Sequence, residues 1–151
     1  MTLFEDTLIQ EFQMWKKANP TTFSWWSFVN MKADLQTALG FAKFFYPDVV
    51  EVDGYFLLAD TYNERRLSEW IQECGGDKSC VEKMMNLYEV NDFFKINQRE
   101  DETEEQVDTL GRVLQLFWTM SFKQRFPTRE IVVDLFRDND ENLFITVYER
   151  I

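Results

Sequence analysis

Ile131-Val132-Val133-Asp134-Leu135-Phe136 and Leu143-Phe144-Ile145-Thr146-Val147-Tyr148 stand on either side of the polar stretch Asp138-Asn139-Asp140-Glu141. β-Branched and aromatic side chains dominate both arms, and these residue types suit the pleated, half-buried surface of a strand. The two arms predict a β-hairpin. Upstream, Val49-Val50-Glu51-Val52 and Tyr55-Phe56-Leu57-Leu58 flank Asp53-Gly54. Asp-Gly between strand-forming runs favours a two-residue type I′ turn, which needs positive φ at both turn positions. A second hairpin follows.

The rest of the chain is written in helical spacing. Thr2 and Glu5 have the spacing of a capping box ahead of Phe4, Leu8, Phe12 and Trp15, which predicts a helix over 3–17 closed by Asn19-Pro20. A second helix is predicted from Thr22 or Ser24 to the residue before Pro47, with Gly40 as a kink point. Asn63 caps a third, whose Leu67, Trp70, Ile71 and Cys74 form a stripe ended by Gly75-Gly76. Ser79 and Glu82 open a fourth that points Val81, Met84, Met85 and Tyr88 inward. Thr103 and Gln106 open a fifth, which carries Val107, Leu110, Leu114, Phe117 and Ser121 to Pro127. The expectation is an α+β fold, with about five helices packed on an antiparallel sheet made from two β-hairpins. With no internal repeat or Pro/Gly/Ser-rich linker, residues 1–151 read as a single domain.

Composition narrows the chemistry. There are 27 acidic residues against 16 basic ones and no histidine, for a net charge of −11. Nucleic acids and anionic membranes repel such a surface, whereas a basic protein or a cation is attracted to it. Without histidine, Ser-His and Cys-His nucleophile pairs and Cys2His2 zinc sites are excluded. The five glycines fit neither the Walker loop nor the dinucleotide-binding fingerprint. No apolar run reaches the roughly 20 residues of a membrane helix, and the N-terminus lacks the basic and apolar segments of a signal peptide. Cytoplasmic residence is therefore expected, and with it free thiols at Cys74 and Cys80, the only cysteines.

Three groups of residues are candidates for function. Asp138, Asp140 and Asn142, with Glu149 at the twelfth position, provide alternate oxygen ligands and a terminal carboxylate. Over those 12 residues the pattern resembles the loop of calcium-binding helix-loop-helix proteins, and the resemblance implies a Ca or Mg site. Leu143 stands where that loop has glycine, and as a polar turn between strands the same residues need no cation. Glu51 and Asp53 are a second carboxylate pair, near Asp60 and Glu64 in sequence; their alternation on one strand equally marks a solvated face.

The third group reads as a partner-binding surface. Trp25 and Trp26 lie about 100° apart around a helix, so both cannot lie centrally in a narrow buried stripe. An exposed one would suit a partner as an anchor, whereas the abundance of Phe and Trp favours a broad core that takes both. Glu100, Asp101, Glu102, Glu104 and Glu105, continued by Asp108, concentrate negative charge and fit a basic groove. The leading reading is a small acidic interaction or regulatory protein, such as an inhibitor or immunity-type neutraliser of a basic partner. No cofactor is required by it, and it leans away from an enzyme. The alternatives are a carboxylate-dependent metal-binding protein or enzyme and a small-molecule-binding domain.

Overall fold

The structure, a computed structural model, describes residues 1–151 and is α+β, with six α-helices and two small antiparallel sheets. The chain divides into two compact units, Met1–Phe44 and Phe45–Ile151.

The first unit is helical. A short 3-10 turn at Asp6–Leu8 precedes α1 (Gln10–Ala18), so the helix begins well after the Thr2/Glu5 box. Glu5 is extended there, and the carboxylate of Asp6 accepts a hydrogen bond from Trp25 Nε1 at 2.9 Å. The helix expected up to Pro47 is two helices, α2 (Trp25–Lys32) and α3 (Leu35–Phe45). Ser24 caps α2 through a box with Ser27. Ala33 is extended, and Asp34 Oδ1 restarts the helix by accepting from Thr37 N at 2.8 Å. Gly40 lies within α3.

Aromatic rings hold this unit together. Trp25 stacks on Phe12 with centroids 3.7 Å apart, and Phe28 and Phe23 pack on the same Phe12 ring at 5.9 and 5.6 Å. Lys16 Nζ donates to the Phe23 carbonyl at 2.6 Å, and Lys32 pairs with Glu11 at 2.9 Å.

The second unit contains both hairpins. β1 (Val49–Val52) pairs with β2 (Tyr55–Leu58) across Asp53 and Gly54, whose φ values of 52° and 83° are those of the predicted type I′ turn. α4 (Glu64–Glu73) starts on the Asn63 cap, and α5 (Lys78–Met85) starts on Asp77 rather than on the Ser79/Glu82 box. β3 is only Tyr88–Glu89, in a stretch where a helix was expected to continue. α6 (Glu104–Arg125) has the predicted Thr103/Gln106 capping box. β4 (Ile131–Arg137) and β5 (Leu143–Glu149) form the C-terminal hairpin, in register from Ile131↔Glu149 to Arg137↔Leu143.

The hairpins do not join into one four-stranded sheet. β1 and β2 form one sheet, while β3, β5 and β4 form another in that order. Glu82 of α5 and Asn86, the C-terminal cap of that helix, bridge backbone groups of β2 and β5. Glu82 Oε1 accepts from Phe56 N at 2.8 Å, and its Oε2 accepts from Glu149 N at 2.7 Å. Asn86 accepts from Leu58 N and donates to the carbonyls of Phe56 and Val147, at 2.8 to 2.9 Å. Both side chains are fully buried, and their polar atoms are satisfied, as burial of such groups demands.

Around this brace lie Phe56, Leu57, Met85, Leu114, Phe122, Ile145 and Val147, all fully buried. Each contributes roughly 1.5–3 kcal/mol by leaving water. α6 approaches the C-terminal sheet most closely at Gly111, where an added Cβ would stand 2.9 Å from Leu143 Cδ2 and 3.0 Å from Leu135 Cδ1.

The expectation of free thiols is overturned. Cys74, the C-terminal cap of α4, and Cys80, in the first turn of α5, are joined in a disulfide. The compartment argument carried that expectation, and it could not register that the two helix ends bring the Cα atoms to 5.8 Å, within disulfide range. No helix is long and apolar enough to cross a membrane.

Candidate partner-binding surfaces

Adjacent positions on α2 separate the two tryptophans. Trp25 is engaged with Phe4, Phe12, Phe28 and Asp6, whereas Trp26 is 79% exposed. Trp26 is therefore the free aromatic, and Trp25 is part of the packing of its own unit. Val29 and Met31 on α2, and Leu35 and Leu39 on α3, are also exposed, the last two at 84% and 69%. α3 buries no residue at all. Monomer surfaces carry scattered apolar side chains, and on these two consecutive helices such side chains are concentrated.

The acidic run occupies the connection into α6 and that helix's first turn. Glu100, Asp101, Glu102, Glu104 and Glu105 are all exposed. Asp101 pairs with Arg99 at 3.1 Å, and Glu102 accepts from Arg99 N at 3.2 Å, so part of the run stiffens its own loop. Glu104 and Glu105 sit at the positive end of the α6 dipole, which stabilises their charge. Asp108, half-buried, pairs with Arg137 instead of facing outward with the run. Phe94 and Ile96, a few residues upstream, are exposed apolar neighbours in sequence.

The proposed oxygen ligands are not assembled. Asp138 Oδ1 accepts from Asp140 N at 3.0 Å and from Asn142 N at 2.9 Å, an arrangement that closes the β4–β5 turn from within. Glu149 lies at the opposite end of β5, opposite Ile131, where it binds Arg129 through both oxygens and also Lys78. No group of three or more His, Cys, Asp or Glu side chains is arranged to hold a metal ion. Asp53 is in the β1–β2 turn and Glu51 pairs with Arg129, so these two carboxylates do not converge.

Sequence reasoning missed the polar cluster formed by Lys78, Glu82, Arg129 and Glu149, with Glu51 at its rim. Arg129 holds the Glu149 carboxyl well below the usual carboxylate range, at about 2, against the opposing effect of burial; Lys78 reinforces the shift. The Lys78 ammonium is partly desolvated, but its contacts with Glu149 and Glu82 outweigh that and raise its pKa. Every carboxylate here already has cationic or backbone partners, so the cluster fastens α5, β5 and the start of β4 together and offers no free base or nucleophile. A signal was present: Glu82 and Asn86 are polar residues spaced four apart beside Val81 and Met85, on the side of α5 that had to be apolar.

The chain matches no protein-family model, no curated protein and no solved structure.

Proposed function

We propose that this chain is a partner-binding protein that engages a basic protein, in the manner of an inhibitor or neutraliser, and that it works in the cytoplasm. Trp26 carries the reading, because an indole 79% exposed beside a packed Trp25 is the kind of side chain that dominates interface energetics. The exposed run from Glu100 to Glu105 supports it by supplying the charge that would steer a basic partner. The two features lie in different units and predict different behaviour in salt.

Capture from native lysate at low and moderate salt tests this, using the unaltered chain, Trp26→Ala, and a variant with Glu100, Asp101, Glu102, Glu104 and Glu105 changed to lysine. Trp26→Ala is expected to weaken retention at both salt concentrations. The lysine variant is expected to lose the salt-sensitive fraction. Retention unchanged in both variants would overturn the proposal.

A further inference from the structure

The α4–α5 junction holds its shape by means that do not involve sulfur. Gly75 N donates to Gln72 O at 3.2 Å and Gly76 N to Ile71 O at 3.0 Å, the paired bonds of a Schellman ending for α4. Gly75 and Gly76 have φ of 60° and 78°, which glycine adopts without strain. Asp77 N donates to Cys74 O at 3.2 Å, and Asp77 Oδ1 accepts from Cys80 N at 2.8 Å as the cap of α5. Beneath the junction, Trp70 and Ile71 of α4 pack against the cluster that contains Leu67, Val81 and Met85. Two helix caps and a packed helix pair thus flank Cys74 and Cys80 and hold them opposite each other. Both cysteines are partly exposed, Cys74 packs in part against that same cluster, and Gly75, Gly76 and Asp77 between them are exposed.

We infer that Cys74 and Cys80 form a reversible dithiol–disulfide couple that exchanges with an external thiol while the fold persists. The attacking thiolate forms a mixed disulfide with one cysteine and releases the other as a thiolate, which takes up a proton. A second external thiol resolves the mixed disulfide. Two electrons pass to the protein, Cys74 and Cys80 end as thiols, and the two external thiols end as one disulfide. Reoxidation reverses each step, because the junction keeps the sulfurs apposed. The couple stands independently of the partner-binding reading and reconciles the bonded pair with a reducing compartment.

The test equilibrates the full chain with stepped ratios of reduced to oxidised dithiothreitol, traps free thiols by alkylation, and counts them by mass while near-ultraviolet circular dichroism follows tertiary packing. The expected result is simultaneous appearance of two thiols with the dichroism retained, and full return of the disulfide on reoxidation. A pair that stays bonded in fully reduced dithiothreitol under native conditions, or a fold that collapses when the bond opens, would overturn the inference.

Discussion

In Met1–Phe44, Lys16, Lys17, Lys32 and Lys43 balance Glu5, Asp6, Glu11 and Asp34, so the whole net charge of −11 belongs to Phe45–Ile151. The neutral unit buries only Phe12 and Phe23 below a tenth exposure and leaves large apolar residues on the outside of α1, α2 and α3. The acidic unit buries a broad core and uses polar side chains, Glu82 and Asn86, as internal fasteners. Net charge belongs to one part of the chain, while exposed apolar side chains occur on both and are denser on the neutral part. The contrast teaches that bulk composition averages two unlike surfaces: one suited to contact through shape and desolvation, the other to attraction at a distance.

The largest expected effect tests the acidic unit's fastening. Glu82→Ala strips the acceptor from Phe56 N, which is left buried, and from Glu149 N, which is left partly buried. A loss of roughly 3–5 kcal/mol is expected in urea unfolding. In the neutral unit, Phe12→Ala removes the ring on which Trp25, Phe23 and Phe28 converge, with a loss of roughly 3 kcal/mol. That change should be read by Trp15 and Trp25 while leaving Trp70 and Trp118 undisturbed; a uniform loss at all of them would erase the distinction between the units.

The next effect is pH-dependent and confined to the acidic unit. A carboxyl whose folded pKa is about 2, against an ordinary 4.5, contributes stability that is complete above the ordinary value and fades as pH falls toward 2. The contribution at neutral pH is roughly 2–3 kcal/mol. Glu149→Gln should flatten this part of the stability–pH curve between pH 5 and about 2, and an unaltered slope would refute the assignment to Glu149. The smallest effect separates neighbours on one helix: Trp26→Ala should change stability by less than about 0.5 kcal/mol. Trp25→Ala should cost several times more. Equal losses would mean that Trp26 belongs to the packing after all.

Both hairpins were legible because local chemistry dictates them: Asp53-Gly54 can hardly be anything but a tight turn, and β-branched arms leave few alternatives beside it. α4 and α6 were legible through Asn63 and the Thr103/Gln106 box. The break at Ala33-Asp34 was not, because an apolar spacing of three and four residues continues across it and a short polar residue can restart a helix at little cost. The separation of the two sheets, with side chains bridging them, lay beyond reach for another reason. It depends on Glu82 and Asn86 being buried, and single-sequence patterning assigns charged residues to the surface. Of the site, helical geometry showed only that two adjacent tryptophans cannot share the centre of a narrow stripe; the exposure of Trp26 follows from the packing of Trp25 on Phe12. By its spacing Glu149 reads as a cation ligand, and its pairing with Arg129 and Lys78 was not legible, because those residues lie 20 and 71 positions away in the chain.

Glu82 and Asn86 are four residues apart on a helix, a rise of about 6 Å. The backbone groups they hold, Phe56 N and Leu58 N on β2 and Glu149 N and Val147 O on β5, are two residues apart on strands, a spacing of about 6.7 Å. The brace works because these two repeats nearly coincide, as the teeth of two gauges mesh at one pitch. A residue inserted between Phe56 and Leu58, between Glu82 and Asn86, or between Val147 and Glu149 would throw the teeth out of phase. The same insertion between Asn97 and Thr103 would only lengthen an exposed connection. Changes in chain length should therefore be tolerated there and refused at these three short intervals, whatever residue is added.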